Sequence, residues 1–151
     1  MRRFAFSKTS AALIGGLALL LAACNMGVHS PAGFRLPENG DVARGKQAFI
    51  DLKCTACHTV DGVELPPPTV EPVIPLGGTL RELRTDGYLV TSIIHPSHRL
   101  GRFPKSETTV EGVEGVSRMP DFAMSMTVRE LIDTVAFLRE HYRFEAPRTM
   151  Y

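Results

Sequence analysis

Two cysteines and a histidine within five residues constrain this chain more than any other feature of its sequence. Cys54, Cys57 and His58 form a C-x-x-C-H motif. Residues three apart lie on the same face of a helical turn, so both thiols can point to one side of the backbone. The imidazole of His58 follows at once and can reach the same place. Any fold of this chain must therefore leave room beside these three side chains.

This spacing is typical of covalent haem c attachment, in which two thiols form thioethers with the vinyl groups and the histidine ligates the iron. We therefore expect one haem c, held by Cys54 and Cys57, with His58 on the iron. Two other uses of C-x-x-C are a thioredoxin-like dithiol, which needs a preceding strand, and a zinc site, which needs more ligands. Here the preceding stretch has a helical pattern, no strand pattern follows, and there is no second cysteine pair.

The start of the chain predicts export. Three basic residues within the first eight precede an uncharged run of 13 residues, 11–23. This run is too short to span a bilayer, so residues 1–23 fit a signal peptide that is removed. The run ends in Leu21-Ala22-Ala23-Cys24, which resembles the lipobox of bacterial lipoproteins. We expect acylation of Cys24; a plain signal peptide beside a chance cysteine is the alternative.

An acylated N-terminus would hold the chain firmly on a membrane. The expected location is the bacterial cell envelope, facing the periplasm. By resemblance to the lipoprotein sorting rule of enteric bacteria, a residue other than Asp after the cysteine, here Asn25, slightly favours the outer over the inner membrane. Residues 24–39 show no helical or strand period and predict a lipid-anchored tether. Alternatively, Val28, Phe34 and Leu36 could pack this segment onto the domain.

Removal of the signal peptide would leave 128 residues with a net charge of −2. That length suits one domain, expected over residues 40–146, with a short tail at 147–151. The charge argues against nucleic-acid binding, because domains that bind nucleic acids are usually strongly basic.

Periodicity and capping signals predict three helices. The first follows the turn Asn39-Gly40-Asp41, the second covers residues 86–94, and the third begins at a Thr127–Glu130 capping box and ends before Pro147. Met126 stands at the staple position before the third helix. The expected buried faces are Val42, Gly45, Ala48, Phe49 and Leu52 in the first helix, and Leu131, Val135, Leu138 and Tyr142 in the third.

Several of these segments resemble the class I cytochrome c family. Gly45-Lys46-Gln47-Ala48-Phe49 is similar to its N-terminal helix, Ser117-Arg118-Met119-Pro120 to its ligand loop, and Val135-Ala136-Phe137-Leu138 to its C-terminal helix. The resemblance covers about residues 41–142. It implies an all-α fold of three to four helices around one covalent haem, with Met119 as the second iron ligand. It also implies a one-electron carrier rather than an enzyme, with no small-molecule substrate.

The resemblance to class I cytochrome c also has implications for the helix packing and for the hydrogen bonding of His58. It implies that the terminal helices cross at Gly45, and that Thr134 stands where a larger apolar residue is common. It also implies that a proline carbonyl accepts a hydrogen bond from His58, with Pro75 the better candidate and Pro72 the second. Five prolines within residues 64–78 predict that this segment is an extended surface loop.

Alternatives stay open for the second ligand and for the function. The other candidate ligands are Met124, Met126, His95, His98 and His141. An open iron position would instead suit an enzyme or a gas sensor. A third possibility is a haem subunit of a larger membrane dehydrogenase or oxidase, docked through the Pro-rich loop or residues 103–117. The redox partner is not identified by the sequence, and no lysine-rich ring for electrostatic steering is evident.

Overall fold

The computed structural model describes residues 34–100, 109–110, 113 and 115–146. The predicted signal peptide, Cys24 and the tail at 147–151 lie outside these residues. The described helices are α1 (Val42–Asp51), α2 (Asp86–Ile94) and α3 (Val128–Glu140). The described strands are β1 (His58–Val60), β2 (Ile74–Leu76), β3 (Gly78–Leu80) and β4 (Tyr142–Phe144). β1 pairs with β2 and β3 with β4, both in parallel.

Each of these helices begins at a side-chain cap, which accepts a hydrogen bond from a backbone N–H that has no partner within the helix. Asp41 caps α1 and Thr85 caps α2, at 2.8 and 3.2 Å from an N–H three residues on. Thr127 and Glu130 form both halves of a capping box at the start of α3. The helical regions predicted from the sequence are therefore confirmed, and the second has the predicted bounds.

The N-terminal and C-terminal helices of the domain cross at Gly45, as the family resemblance implies. A Cβ atom added at Gly45 would overlap the carbonyl oxygen of Asp133 and would lie 2.8 Å from Cβ of Phe137. The two backbones therefore approach too closely for any side chain at this point. Phe49 and Phe137 pack edge to face beside the crossing, with ring centroids 5.6 Å apart.

A buried charge also ties α1 to α3. The Asp133 side chain is 2% exposed and accepts hydrogen bonds from the Asp41 backbone N–H and the Arg44 Nε, both at 2.8 Å. The hydrogen bond from Arg44 lowers the pKa of Asp133, so the carboxylate stays ionised despite its burial. The start of α1 is thereby fixed against the middle of α3.

The buried faces differ from the predicted ones in both α1 and α3: Ile132 and Phe137 are buried although the sequence pattern did not predict them, and Leu52 and Leu131 are only half-buried. Val42 is exposed. Tyr142 lies in β4, because α3 ends at the His141 cap. Within α3, Thr134, Val135 and Phe137 are each 1% exposed, and Val135 and Phe137 belong to the core. The Thr134 hydroxyl has no hydrogen-bond partner among the described residues, a feature that an apolar side chain would not have.

Short strands after the C-x-x-C-H motif correct the expectation that this region contains none. β1 begins at His58 itself, and the Pro-rich segment supplies β2 and the first residue of β3 rather than remaining wholly irregular. Each strand has three residues, which is too short for a period of two to show in the sequence. The pairing instead depends on distant partners, His58 with Ile74 and Gly78 with Tyr142.

The folded contacts start before the predicted domain boundary at residue 40. Leu36 packs against the core, and its N–H donates to Asp86 Oδ2 at 3.3 Å. Asp86 is fully buried, and its Oδ1 lies 3.2 Å from Arg139 Nη1. Leu36, which lies within the segment expected to be a tether, is therefore in contact with the domain.

No helix in the described part of the chain is long and apolar enough to cross a membrane.

The close approach of the two helices at Gly45 predicts that alanine at this position lowers the free energy of unfolding. Alanine is favoured over glycine by about 1 kcal/mol inside a helix, so a merely tolerated glycine would gain stability on replacement. We expect Gly45→Ala to lose about 1–3 kcal/mol instead, because the added methyl group forces the two helices apart. Denaturant unfolding of the haem-loaded protein measures the change.

Ala43 supplies the matched control for this substitution, since it is an exposed residue of the same helix. Ala43→Gly should lose up to about 1 kcal/mol, the cost of glycine inside a helix, because Ala43 lies in the first turn of α1. A gain in stability for Gly45→Ala would show that the helices do not meet at this residue.

Candidate haem site

Two adjoining cavities lie between the helices and the Pro-rich segment. The first, the cysteine-side chamber, has a volume of about 490 Å³ and is lined by Cys54, Cys57 and Pro120, among others. The second, the arginine-side chamber, has a volume of about 370 Å³ and is lined by Arg84 and Tyr88, among others. The wall common to both consists of His58, Ile74, Ser92, Arg99, Leu100 and Met119. Close-packed interiors rarely leave such a space, so these residues enclose room for a large ligand.

The end of α1 sets the position of the two cysteines. Lys53 adopts a left-handed conformation with φ of 61°, which stops the helix and starts the 3₁₀ turn Cys54–Ala56. The Pro-rich segment then folds back onto this turn. The Ala56 carbonyl accepts from the N–H of Val70 at 2.9 Å, and the Cys57 carbonyl accepts from the N–H of Ile74 at 2.8 Å. The C-x-x-C-H motif is therefore fixed by the end of α1 on one side and by the Pro-rich segment on the other.

His58 is oriented by a backbone carbonyl of the returning segment. Its Nδ1 lies 3.1 Å from the carbonyl oxygen of Ile74. Because that oxygen can only accept, Nδ1 carries the proton and Nε2 keeps its lone pair for a metal. Burial lowers the pKa of His58, while the bond to Ile74 partly opposes this effect, so the imidazole is neutral at pH 7.

The acceptor is neither of the two expected prolines. Both Pro72 and Pro75 line the cavities, but the carbonyl that meets His58 belongs to Ile74, the residue before Pro75. Strand register explains the difference, since Ile74 is the partner of His58 in the β1–β2 pair. The resemblance thus predicted the kind of bond and its neighbourhood, and the pairing of the strands selected the residue.

The environment of Cys54 argues against a redox dithiol. Burial raises the pKa of the Cys54 thiol to about 11. Reactive C-x-x-C thiols have lowered pKa values, because the thiolate is the nucleophile. Among the residues that the structure describes, no group of three or more metal-binding side chains forms a separate metal site either.

Met119, like His58, lines both cavities, and it packs against the core. His95 and His98 are exposed, and Met124 is 97% exposed, so a packing role for Met124 is not seen. Met126 packs against the core from the predicted staple position. Of the candidate second ligands in the described chain, Met119 is the one that lines the cavities.

His141 is occupied elsewhere in the fold. It caps the end of α3, where its ring packs against Phe137 with centroids 5.1 Å apart. Its carbonyl also accepts a hydrogen bond from the Gly78 N–H at 2.8 Å. These contacts give His141 a structural position between α3 and β3.

The arginine-side chamber collects cations around one aromatic ring. The Arg84 guanidinium carbon lies 4.4 Å from the centre of the Tyr88 ring, and that of Arg99 lies 6.0 Å from it. Arg84 also forms an ion pair with Glu82 at 3.2 Å. Tyr142 lines the same chamber, and burial raises the pKa of its phenol, which stays neutral as a hydrogen-bond donor. Glu82 lines the chamber as well, but two guanidinium groups stand against its one carboxylate, so the chamber suits a further anionic group.

Residues 42–141 match the family model of cytochrome c, and the chain belongs to the cytochrome c family. It is therefore an electron-transfer protein that carries covalently attached haem c. No curated protein and no solved structure matches the chain at a significant level.

The described residues fit this cofactor. The cavities offer two thiols for the vinyl groups, a neutral imidazole and a thioether for iron, and cationic groups in the adjoining chamber. Cys54 and Cys57 fit the attachment motif. Sequence reasoning missed Ile74 and the arginine-side chamber. Ile74 could have been considered from the sequence, because it directly precedes Pro75, one of the two candidate prolines. No sequence pattern indicates that Arg84 and Arg99 lie near the same tyrosine ring.

The attachment can be tested on a denaturing gel stained for haem. We expect the unmutated protein to keep its stain, because thioether bonds survive unfolding. Cys54→Ser and Cys57→Ser should each lower haem retention, and the double variant should retain none.

Cys24→Ser is the matched control, since it changes the one other cysteine and should leave the stain unchanged. Haem that separates from the unmutated protein during electrophoresis would contradict attachment through two thioethers.

Proposed function

We propose that this protein is a membrane-anchored carrier of single electrons, whose haem iron is held by His58 and Met119. The observation that supports it most is the common wall of the two cavities, which contains both of these side chains. The thiols of Cys54 and Cys57 stand in the same enclosure. One neutral nitrogen donor and one thioether donor therefore face the space that a haem needs.

This pair of ligands leads to electron transfer rather than catalysis. When bound, the haem supplies one-electron iron chemistry, and a methionine ligand favours the reduced state. With His58 and Met119 both on the iron, no position is left for a substrate. The apolar residues of the walls would limit the access of water to the iron, and Pro120 stiffens the chain directly after Met119.

The arginine-side chamber would orient the cofactor. A haem carries its two propionates at the edge opposite to its vinyl groups. With the vinyl groups on Cys54 and Cys57, the propionates would enter the chamber of Arg84, Tyr88 and Arg99. Charge-assisted bonds from arginine to carboxylate are among the stronger interactions available to a protein.

Replacement of Met119 tests the proposed ligation. We expect Met119→Ala to keep the covalent haem, to lower the reduction potential and to open the iron to carbon monoxide. The weak near-infrared charge-transfer band between sulfur and ferric iron should disappear, because its sulfur is gone.

Met124 gives the matched control, since its side chain is 97% exposed and chemically identical. Met124→Ala should keep the band, and so should Met126→Ala, at some loss of core packing. If the band survives Met119→Ala and is lost in either control, the ligand is the other methionine. If the unmutated protein lacks the band, the iron is bound by two histidines or has an open position.

A lipid on Cys24 is the second part of the proposal. The lipobox-like Leu21-Ala22-Ala23-Cys24 supports it. Residues 25–35 can span at most about 40 Å, so the domain would stay near the membrane surface. The site of action would be the periplasmic side of the bacterial cell envelope, with a redox protein as partner, and Asn25 slightly favours the outer membrane.

Cys24→Ser should release the protein from the membrane and leave its haem in place. Fractionation of cells measures the release, and mass spectrometry of the mature N-terminus identifies the acyl chains. A mature protein that starts at another residue without a lipid would contradict the anchor, while the ligation by His58 and Met119 would be unaffected.

A further inference from the structure

Two serines connect the segment that carries Met119 to the end of α2. The backbone N–H of Ser117 donates to the hydroxyl of Ser97 at 3.0 Å. The hydroxyl of Ser117 in turn accepts from the backbone N–H of Met119 at 3.1 Å. These three residues are all partly buried, so water competes only weakly for either bond.

Ser97 is a firm point of attachment. It lies in the 3₁₀ turn Pro96–His98, which follows α2 directly. The N–H of His98 closes this turn on the His95 carbonyl at 3.0 Å. α2 itself is fixed by its buried residues Leu89, Val90 and Ile93, which belong to the core cluster. The Ser97 hydroxyl is therefore part of the rigid framework around the cavities.

In the described part of the segment before Met119, backbone contacts join the chain to itself. Thr109 and Ser117 form an isolated antiparallel bridge, and the Val110 N–H donates to the Val116 carbonyl at 2.9 Å. The side chains of Val110 and Val116 are exposed. These two backbone contacts connect residues within the segment, whereas the bond from Ser117 to Ser97 connects the segment to the 3₁₀ turn that follows α2.

After Met119 the chain returns to the core at Phe122, which is buried and whose carbonyl accepts from the N–H groups of Ser125 and Met126. Met119 thus lies between two fixed points, the serine pair on one side and Phe122 on the other. A thioether is uncharged, so its bond to iron depends on how well the protein holds the sulfur in place.

We infer that Ser97 and Ser117 are positioning residues for the Met119 sulfur, and that their two hydrogen bonds keep it on the haem iron. This inference rests on the proposed ligation by Met119. Loss of either bond would leave a partly buried N–H unpaired and would free the backbone of the ligand. The sulfur would then spend more time away from iron, and an external ligand would compete with it more easily.

The experiment measures the affinity of the oxidised, haem-loaded protein for imidazole, which must displace Met119 to bind. One hydrogen bond corresponds to a change of about twofold to tenfold in such an equilibrium. We expect Ser97→Ala and Ser117→Ala each to raise the imidazole affinity by this factor and to weaken the near-infrared band. The double variant should change less than the product of the two factors, because the bonds form one chain. Ser97→Thr, which keeps the hydroxyl, should restore both readouts.

Two controls separate positioning from general loss of stability. Ser125→Ala removes an exposed serine six residues from Met119 and should leave the imidazole affinity unchanged. Asp41→Ala removes the cap of α1 and should lower the stability without changing the affinity. An equal rise of affinity in Asp41→Ala would overturn the inference, as would unchanged affinity and an unchanged band in both serine-to-alanine variants.

The test also distinguishes this inference from the proposed ligation. If the unmutated protein lacks the near-infrared band, then Met119 is not the ligand and both statements fail. If the band is present in the unmutated protein, and neither the band nor the imidazole affinity changes in Ser97→Ala and Ser117→Ala, only the inference about the serines fails.

Discussion

The close approach of α1 and α3 at Gly45 is the contact on which the rest of the structure depends. Both partners lead directly to the site: α1 ends shortly before Cys54, and the segment carrying Met119 precedes α3. By packing these helices backbone against backbone, the protein brings both ends of the domain to one cavity. The pair of Asp133 and Arg44 beside the crossing adds a directional bond, which sets how the helices lie against each other.

The second constraint is the burial that this packing creates. A buried imidazole is more stable without charge, so the environment of His58 favours the form that can bind iron. A buried thiol is likewise more stable when protonated, which disfavours thiolate chemistry at Cys54 before attachment. The arginine-side chamber is the exception, and it collects cations where an anionic group can pair with them. The fold thus assigns different chemistry to adjoining parts of one cavity.

The parts of the fold that depend on neighbours in sequence could be predicted. Helix caps at Asp41 and Thr127 act within one turn, and the helical period is visible over several turns. The strands could not be predicted, because three residues are too few to show a period and each strand depends on a distant partner. The same limitation explains Ile74: its carbonyl meets His58 through strand register, so attention to prolines alone led to the wrong residue.

The sequence by itself determined the covalent chemistry of this protein, since the spacing of Cys54, Cys57 and His58 is a local property of five residues. It also determined the caps and the glycine that lets two helices meet. Only the tertiary structure decided which carbonyl orients the histidine, which of the candidate ligands faces the cavity, and where the arginines gather. Those choices depend on contacts between segments far apart in the chain, and the physical reason is that burial and hydrogen-bond geometry arise only when these segments pack together.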